Sequence, residues 1–369
     1  MLTIDPALGA ALRNGGKDLR ILLIRLGAMG DILRAVPSLQ ALRRGLPDAR
    51  LIWVLDEHWR LLLEGHPSVD EVIGVPRKEM DRLRRSPSRW LELWRLTRRL
   101  RTETRSVDAD LAIDFHGNLR SGLVSFGSHA THRLGYDGHQ QKESNRWFMN
   151  LHLPSGTRRT SRIDRNLALV ASLGIPTSPF PSCDLPLPDR GRDAADAIRG
   201  ELGGGRYAII SPGASPSQAY KRPPAEILIE SCHQLHARGV SPWVQFGPGE
   251  EEDARVVVEG AGQHARLCPP TKIPVLADLI RGATMFVGGD SGPLHLACAV
   301  GCPVVGLYGP TDPVVNAPWG SAHRVVFPAD REYTGIKRQD RVAGFEGLSV
   351  ASVVAAIESL LIEVGDGPV

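Results

Sequence analysis

No run of apolar residues in this 369-residue chain approaches the ~20 needed for a membrane-spanning helix. Met1–Arg20 also lacks the apolar core of a secretion signal, so a cytoplasmic location is the expectation. Cysteine is scarce: Cys183, Cys232, Cys268, Cys298 and Cys302 are scattered, odd in number, and form no C-x-x-C pair. Cys298 and Cys302 are four apart and follow a tempting His295, but their neighbours are Ala, Val and Gly, which predicts small buried thiols rather than zinc ligands. His129, His132 and His139 likewise have no carboxylate or cysteine at a metal-binding spacing, so no metal site is expected. Both common phosphate fingerprints, G-x-x-x-x-G-K-[ST] and G-x-G-x-x-G, are absent, which counts against phosphate-loop kinases and ordinary dinucleotide dehydrogenases. The net charge is only +3 and no nucleic-acid module is recognisable, so nucleic acid is not an expected partner.

What is present is enough for two cores. The length exceeds one ordinary domain, and 42% hydrophobic with 23% charged residues is the balance of an ordinary soluble protein with room for real cores. Leu19–Leu26 is a near-continuous apolar run, as a parallel strand covered on both faces requires. Strand-like and helix-like segments then alternate through Ile32–Leu46, Arg50–Leu55, Glu57–Glu64, Val69–Val75 and Ala109–Asp114. Pro37 near the start of Ile32–Leu46 predicts either a kink or a late helix start. His129–Pro154 is more polar and reads as loop with short elements. Arg162–Leu173 is helical, capped by Gly174 and stopped by Pro176. A proline-rich stretch, Pro176–Arg190, marks the boundary, and the alternation restarts at Tyr207–Ser211. The expectation is two Rossmann-like parallel-sheet domains facing a cleft, spanning 1–180 and 181–345, with a C-terminal helix in 346–369 packing back toward the first domain.

The most informative stretch is Met285–Pro313. It predicts a short strand, a break at Gly288-Gly289, the turn Asp290-Ser291-Gly292, and a helix opening at Pro293, with a second strand at Pro303–Tyr308. Free N–H groups and a positive dipole end at a helix N-terminus suit a phosphate. A diphosphate site is therefore expected there, although such a turn also occurs as plain structure in parallel α/β proteins. Ligands sit outside the carboxyl ends of strands in open parallel sheets, and every distinctive turn of this chain falls at such an end. Gly27–Asp31 and His116–Arg120 lie in the first half; Gly213–Lys221, Gly247–Glu250 and Gly288–His295 lie in the second. Lys221 and Arg222 are cations suited to a diphosphate, and Glu250 and Asp290 are acceptors suited to ribose or sugar hydroxyls. Lys221 also reads as a solvated loop cation, and Glu250 as a favourable charge at a helix N-terminus. Asp31 is placed by glycines at the start of a helix, where it reads as an N-cap. Arg77–Arg105 spaces Trp90, Leu93, Trp94, Leu96 and Leu100 among many arginines, predicting an amphipathic helix. Its basic face is either simply solvated or a contact for an anionic membrane surface or acceptor.

These motifs together resemble glycosyltransferase family 9, the bacterial heptosyltransferases. The resemblance rests on I-R-L-G-A-M-G-D at Ile24–Asp31, H-G-N-L-R-S at His116–Ser121, R-I-D-R-N-L at Arg162–Leu167, F-G-P-G-E at Phe246–Glu250, and G-G-D-S-G-P-L-H-L-A through Y-G-P-T-D-P. They follow the family's order and span nearly the whole chain. The resemblance implies a GT-B architecture and an inverting transfer of heptose from ADP-heptose to an anionic lipopolysaccharide inner-core acceptor. In that scheme Asp31 is the general base. Lys221, Glu250, Asp290, Ser291, Gly292 and His295 bind the nucleotide sugar, and Gly30 and Arg120 bind the acceptor. The nucleotide sugar is a substrate, no resident cofactor is implied, and divalent-ion assistance is left open. The enzyme would work in the cytoplasm or peripherally at the inner membrane. Three alternatives remain: a transferase of the same fold using another nucleotide sugar, a non-catalytic nucleotide-sugar-binding protein, and a nicotinamide dehydrogenase. In this chain Ser291 stands where many members have Thr, Arg120 where many have Lys, and Ala343–Leu348 lacks their cysteine.

Overall fold

The computed structural model describes residues 4–179, 191–320, 322–333 and 344–365. Cys183 and Pro181, Pro186 and Pro188 of the expected boundary lie outside the described residues. The chain divides into two compact units, Met1–Arg158 with Arg162–Pro181, and Arg159–Ser161 with Ser182–Val369.

The first unit is built on six parallel strands, β1 (Arg20–Ile24), β2 (Arg50–Asp56), β3 (Glu71–Val75), β4 (Leu111–Asp114), β5 (His132–Tyr136) and β6 (Leu151–Leu153). Their order is β3-β2-β1-β4-β5-β6, with every pairing parallel. Ile21–Ile24 are wholly buried, which is why an unbroken apolar run occupies the middle of the sheet. β5 and β6 are short elements within the polar stretch His129–Pro154. They lie on the sheet's outer side, where only part of each strand is covered and half-exposed His132, Arg133 and His152 are tolerated.

The helix expected over Ile32–Leu46 is two: α1 (Met29–Leu33) and α2 (Val36–Gly45). Pro37 sits in the first turn of α2, where its missing N–H has no intrahelical partner to lose, so the late start is the correct alternative. Arg77–Arg105 is also two helices, α3 (Arg77–Arg84) and α4 (Trp90–Ser106). Pro87 between them disfavours helical dihedrals in the residue before it. Along α4, Leu100 and Thr104 face the core while Trp90 and Trp94 stay outside. Two further helices matter here, α5 (Leu119–Gly127) and α6 (Arg162–Ala171).

The second unit repeats the plan with β7 (Tyr207–Ser211), β8 (Ser241–Val244), β9 (Arg266–Leu267), β10 (Met285–Gly289), β11 (Val304–Leu307) and β12 (His323–Val326). The order β12-β11-β10-β7-β8-β9 is the first sheet's order read from the other end, again wholly parallel. Each sheet therefore reverses direction between its first and fourth strands, at β1/β4 and at β7/β10. That switch point is where open α/β sheets leave a crevice at their carboxyl edge. α7 (Ala225–Ala237), α8 (Glu251–Ala261), α9 (Ile273–Arg281) and α10 (Gly292–Ala299) cover the second sheet.

The final helix, Val350–Val364, buries Val353, Ile357, Leu360 and Leu361 in the second unit's core with Leu228, Cys232, Val305 and Leu307. Its apolar stripe at 3–4-residue spacing gives it one face to bury there. Cys298 and Cys302 are buried, as their apolar neighbours implied, and so are Cys232 and Cys268. Burial pushes the Cys232 and Cys268 thiols up to about 12. Among the described residues no helix is long and apolar enough to cross a membrane, and no group of three or more His, Cys, Asp and Glu could hold a metal ion.

Candidate active site

In the first unit the loop after β1 and the loop after β4 meet at the switch point. The chain leaves β1 through Arg25 to Gly27, and α1 begins at Met29, which places Asp31 in the first helical turn. The N-cap position belongs to Ala28, so Asp31 is not the helix cap. Its carboxylate instead faces three guanidinium groups. Arg25 Nη2 lies 2.5 Å from Oδ2, and Oδ1 is 3.2 Å from Arg34 Nη2 and 3.1 Å from Arg162 Nη1. Burial alone would push the Asp31 pKa up, but Arg25, Arg162 and Arg34 hold it well below the usual carboxylate range. Asp31 is therefore ionised at any physiological pH while about a quarter of its side chain stays open to solvent (23%).

The arginines are themselves fixed. Arg25 Nη1 donates to the Phe115 carbonyl at 2.7 Å, and Arg34 Nε donates to the Gly30 carbonyl at 3.1 Å. Asn166 of α6 donates to the Arg34 carbonyl at 3.0 Å and accepts from Tyr136 Oη at 2.9 Å. The R-I-D-R-N sequence thus does two jobs, bringing Arg162 to Asp31 and docking its helix on α1. Gly30, expected to touch an acceptor, is buried and supplies that carbonyl.

The loop after β4 is organised by Asp114, which is wholly buried. It accepts from the His116 and Gly117 N–H groups, from Ser121 Oγ at 2.7 Å and from Asn145 Nδ2 at 2.8 Å. Burial raises its pKa despite those donors. Gly117 adopts φ +70°, and Asn118 caps α5 in a reciprocal box with Ser121, which explains most of H-G-N-L-R-S as local structure. His116 Nδ1 accepts from the Leu26 N–H at 3.3 Å. Burial and the Arg25 charge push His116 down to about 3, against the pull of Asp31, so the ring is neutral. Lys142 is a further nearby cation, held below the ordinary lysine range by burial and by Arg162. Arg120, expected beside the acceptor, pairs with Asp81 of α3 at 3.2 Å.

In the second unit, β10 extends through Gly288 and Gly289 instead of breaking there. These glycines are required by close approach: a Cβ on Gly289 would lie 2.7 Å from the Lys221 carbonyl oxygen, and one on Gly288 2.9 Å from that of Ser211. The backbone approach brings Lys221 to Asp290, where Nζ is 3.0 Å from Oδ2 and 3.2 Å from the main-chain carbonyl. Asp290 is only 2% exposed, and its other oxygen lies 3.0 Å from His295 Nε2. His295 in turn stacks on Trp319 at 5.5 Å. Asp290 therefore positions Lys221 and His295 rather than presenting a carboxylate to a hydroxyl, as its place in the turn suggested. α10 starts at Gly292, one residue earlier than expected, with Ser291 at its N-cap. The Ser291 hydroxyl makes no capping bond and is buried without a hydrogen-bond partner. An ammonium, open helical N–H groups and an unused hydroxyl at one helix end form a site for an anion.

Glu250 follows β8 at the N-cap of α8, half-buried, with Oε2 accepting from the Gly247 N–H at 3.0 Å. It lies over Gly213 of the loop after β7, whose absent side chain leaves the room it occupies. Burial raises its pKa, while the Gly247 N–H and Arg222 oppose the rise. Arg222 is engaged in structure, 2.8 Å from Asp253 and bonded to the Ala214 carbonyl. The structure thus clusters Lys221, Asp290, Ser291, Gly292 and His295 at the end of β10, and sets Glu250 over Gly213 at the ends of β7 and β8. Sequence reasoning missed Arg25, Arg34 and Arg162. Arg34 was findable at i+3 from Asp31 on one helix face, whereas Arg162 carries no local signal of its proximity.

The model of glycosyltransferase family 9 (heptosyltransferase) matches residues 94–345. The chain belongs to this family. Among curated relatives, lipopolysaccharide heptosyltransferase 1 of Pseudomonas aeruginosa is 25% identical over 314 residues, covering 82% of each chain. Lipopolysaccharide heptosyltransferase 3 of Escherichia coli K12 is 26% identical over 349 residues, covering 90% of this chain and 96% of the relative. Among solved structures, a family 9 glycosyltransferase from Veillonella parvula superposes with a TM-score of 0.78 at 23% identity, covering 94% of this chain and 98% of that one. The E. coli heptosyltransferase WaaC with ADP gives 0.72 at 23% identity, covering 93% and 100%. The fold is accordingly GT-B, and this family 9 member is a glycosyltransferase.

Proposed function

We propose that this enzyme transfers heptose from ADP-heptose to an anionic, lipid-linked acceptor of the lipopolysaccharide inner core, with inversion at the anomeric carbon. The relatives' names support the reaction class, and the WaaC structure with ADP supports an adenosine diphosphate donor. The observation that carries the donor side is the ammonium of Lys221 fixed by Asp290 at the start of α10, beside the unpartnered Ser291 hydroxyl. As the glycosidic bond breaks, negative charge grows on the departing diphosphate, and these groups stabilise it there. Glu250 accepts hydroxyls of the ribose, and no metal or resident cofactor is assigned a step.

Asp31 takes the proton of the attacking acceptor hydroxyl as that oxygen bonds to the anomeric carbon and ADP leaves from the opposite face. Three arginines keep it ionised, which readies it for the proton but weakens it as a base. An anionic acceptor resolves this conflict. A carboxylate or phosphate that draws Arg162 or Arg34 toward itself relieves the stabilisation of Asp31 and raises its basicity in the complex. The same arginines thereby select a negatively charged acceptor.

A thermal-shift panel of ADP, UDP, GDP, ADP-heptose and NAD tests the donor, since a ligand that binds only the native state raises its melting temperature. Stabilisation by ADP and ADP-heptose alone is the expected result. A preference for UDP or GDP would reassign the donor, and stabilisation by NAD alone would overturn the transferase chemistry.

A further inference from the structure

Seven of the thirteen exposed large hydrophobic side chains among the described residues lie on three neighbouring elements of the first unit: α4, α5 and the turn at Asn145–Phe148. On α4, Trp90, Trp94, Arg98, Arg101 and Arg105 recur every three or four residues and form one stripe. Trp90 is 63% exposed and Trp94 55%. The stripe carries no acidic residue. Glu92 and Glu103 fall off it by the same helical spacing, and Glu92 is paired with Arg89. The core contact of α4 is made elsewhere on its circumference, through Leu100 and Thr104, and the tryptophans stand outside that core.

The stripe continues onto α5. Arg101 Nη2 lies 3.2 Å from His129 Nε2, just beyond the end of that helix. α5 presents Leu119, Leu123 and Phe126 outward, again at 3–4-residue spacing, while Ser121 and Ser125 face inward. Phe126 meets Phe148 edge-on at 6.0 Å, and the adjacent Trp147 is 80% exposed. Arginines lie over the rings, Arg98 over Trp94 at 5.2 Å and Arg133 over Phe126 at 5.8 Å. Aromatic rings at the surface, two of them with a guanidinium on a long stem over the ring, match the interfacial zone of a bilayer. Rings settle at headgroup depth and arginines extend to the phosphates.

We propose that this face docks the enzyme on an anionic phospholipid bilayer, with Trp90, Trp94, Phe126 and Trp147 entering the interface and the arginines meeting lipid phosphates. The charge decides the occupant: a surface apolar in its rings and basic throughout complements an anionic lipid sheet, whose field attracts each nearby arginine. This does not rest on the donor or acceptor assigned above.

The test is cosedimentation of the full chain with phosphatidylcholine vesicles, with and without phosphatidylglycerol. Partitioning onto the anionic vesicles is expected to exceed that onto neutral ones by about tenfold and to weaken with added salt. Trp90→Ser with Trp94→Ser, and separately Arg98→Ser with Arg105→Ser, should each lower it about tenfold at unchanged melting temperature and unchanged response to ADP. Equal binding to both vesicle types, binding to neither, or undiminished binding by both double variants would overturn the proposal. Light scattering that shows a dimer dissolved by the tryptophan substitutions, without vesicle binding, would assign the face to a second copy instead. Should the double variant not fold, brominated lipids must quench the wild-type tryptophan fluorescence and Trp147→Ser must reduce that quenching; absence of quenching refutes the docking.

Discussion

Asp31 carries the most consequential conflict in the molecule, a base whose neighbours make it a poor one. If it accepts the acceptor's proton, Asp31→Asn keeps the shape and removes the acceptor of that proton. Transfer should fall by about 10²–10⁴-fold, as measured by product formation at saturating donor. Transfer at wild-type rate would remove Asp31 from the chemistry. Lys221→Ala should act differently, weakening ADP binding by roughly 10–100-fold, the worth of one charge-assisted hydrogen bond. Calorimetric titration with ADP checks it. His66 offers a test of acid sensitivity away from the site. It is 2% exposed, its Nδ1 accepts from the Ser68 N–H, and its Nε2 is buried without a partner. Burial lowers its pKa from 6.5 to about 4. The unfolded chain therefore binds a proton between those values that the folded chain refuses, so stability falls as pH drops from about 6.5 to about 4. His66→Asn should flatten the pH dependence of the melting temperature in that window, whatever its overall cost. An unchanged slope would show that other groups set it.

At the scale of elements, two glycines with similar surroundings predict different outcomes. A methyl group at Gly289 would meet the backbone carbonyl of Lys221, which cannot move without shifting the loop from β10. Gly289→Ala should cost about 1–3 kcal/mol in denaturant unfolding and weaken ADP binding as well. A methyl group at Gly213 would meet the side chain of Glu250, 2.1 Å from its carboxylate oxygen and 3.0 Å from its Cβ, a side chain that turns aside where a backbone carbonyl cannot. Gly213→Ala should lower donor affinity with a much smaller stability loss. Equal stability losses in the two variants would mean that Glu250 is held more rigidly than its single bond to Gly247 implies. Elements also show why some segments were less legible. β5 and β6 lie toward the sheet's edge and carry half-exposed polar residues, so no apolar run announced them. Arg77–Arg105 kept its helical periodicity across Pro87, which hid the break between α3 and α4.

For the whole molecule, the repeated topology gives each sheet its own core, one around Leu22, Ile24 and Val54 and the other around Ile210, Val287 and Leu307. Substitution at one site should therefore leave ligand linkage at the other intact. With ADP at a hundred times its dissociation constant, both the wild type and Asp31→Asn should gain about 2.7 kcal/mol of stability, and Lys221→Ala far less at the same concentration. Loss of the ADP response in Asp31→Asn would show that the first unit also holds nucleotide. The sequence by itself determined the alternation of strands and helices, the parallel character of both sheets and the turns that carry Asp31, Glu250 and Asp290. These follow from local patterns: apolar runs for strands covered on both faces, and glycine where backbones approach. Only the tertiary structure decided what those side chains do. It buried Asp290 as the support of Lys221 and His295, turned Arg120 toward Asp81, and closed Arg162 onto Asp31 from 131 residues away. Charge, burial and hydrogen bonding at a site are set by groups that meet through the fold, and their distance along the chain carries no trace of the meeting.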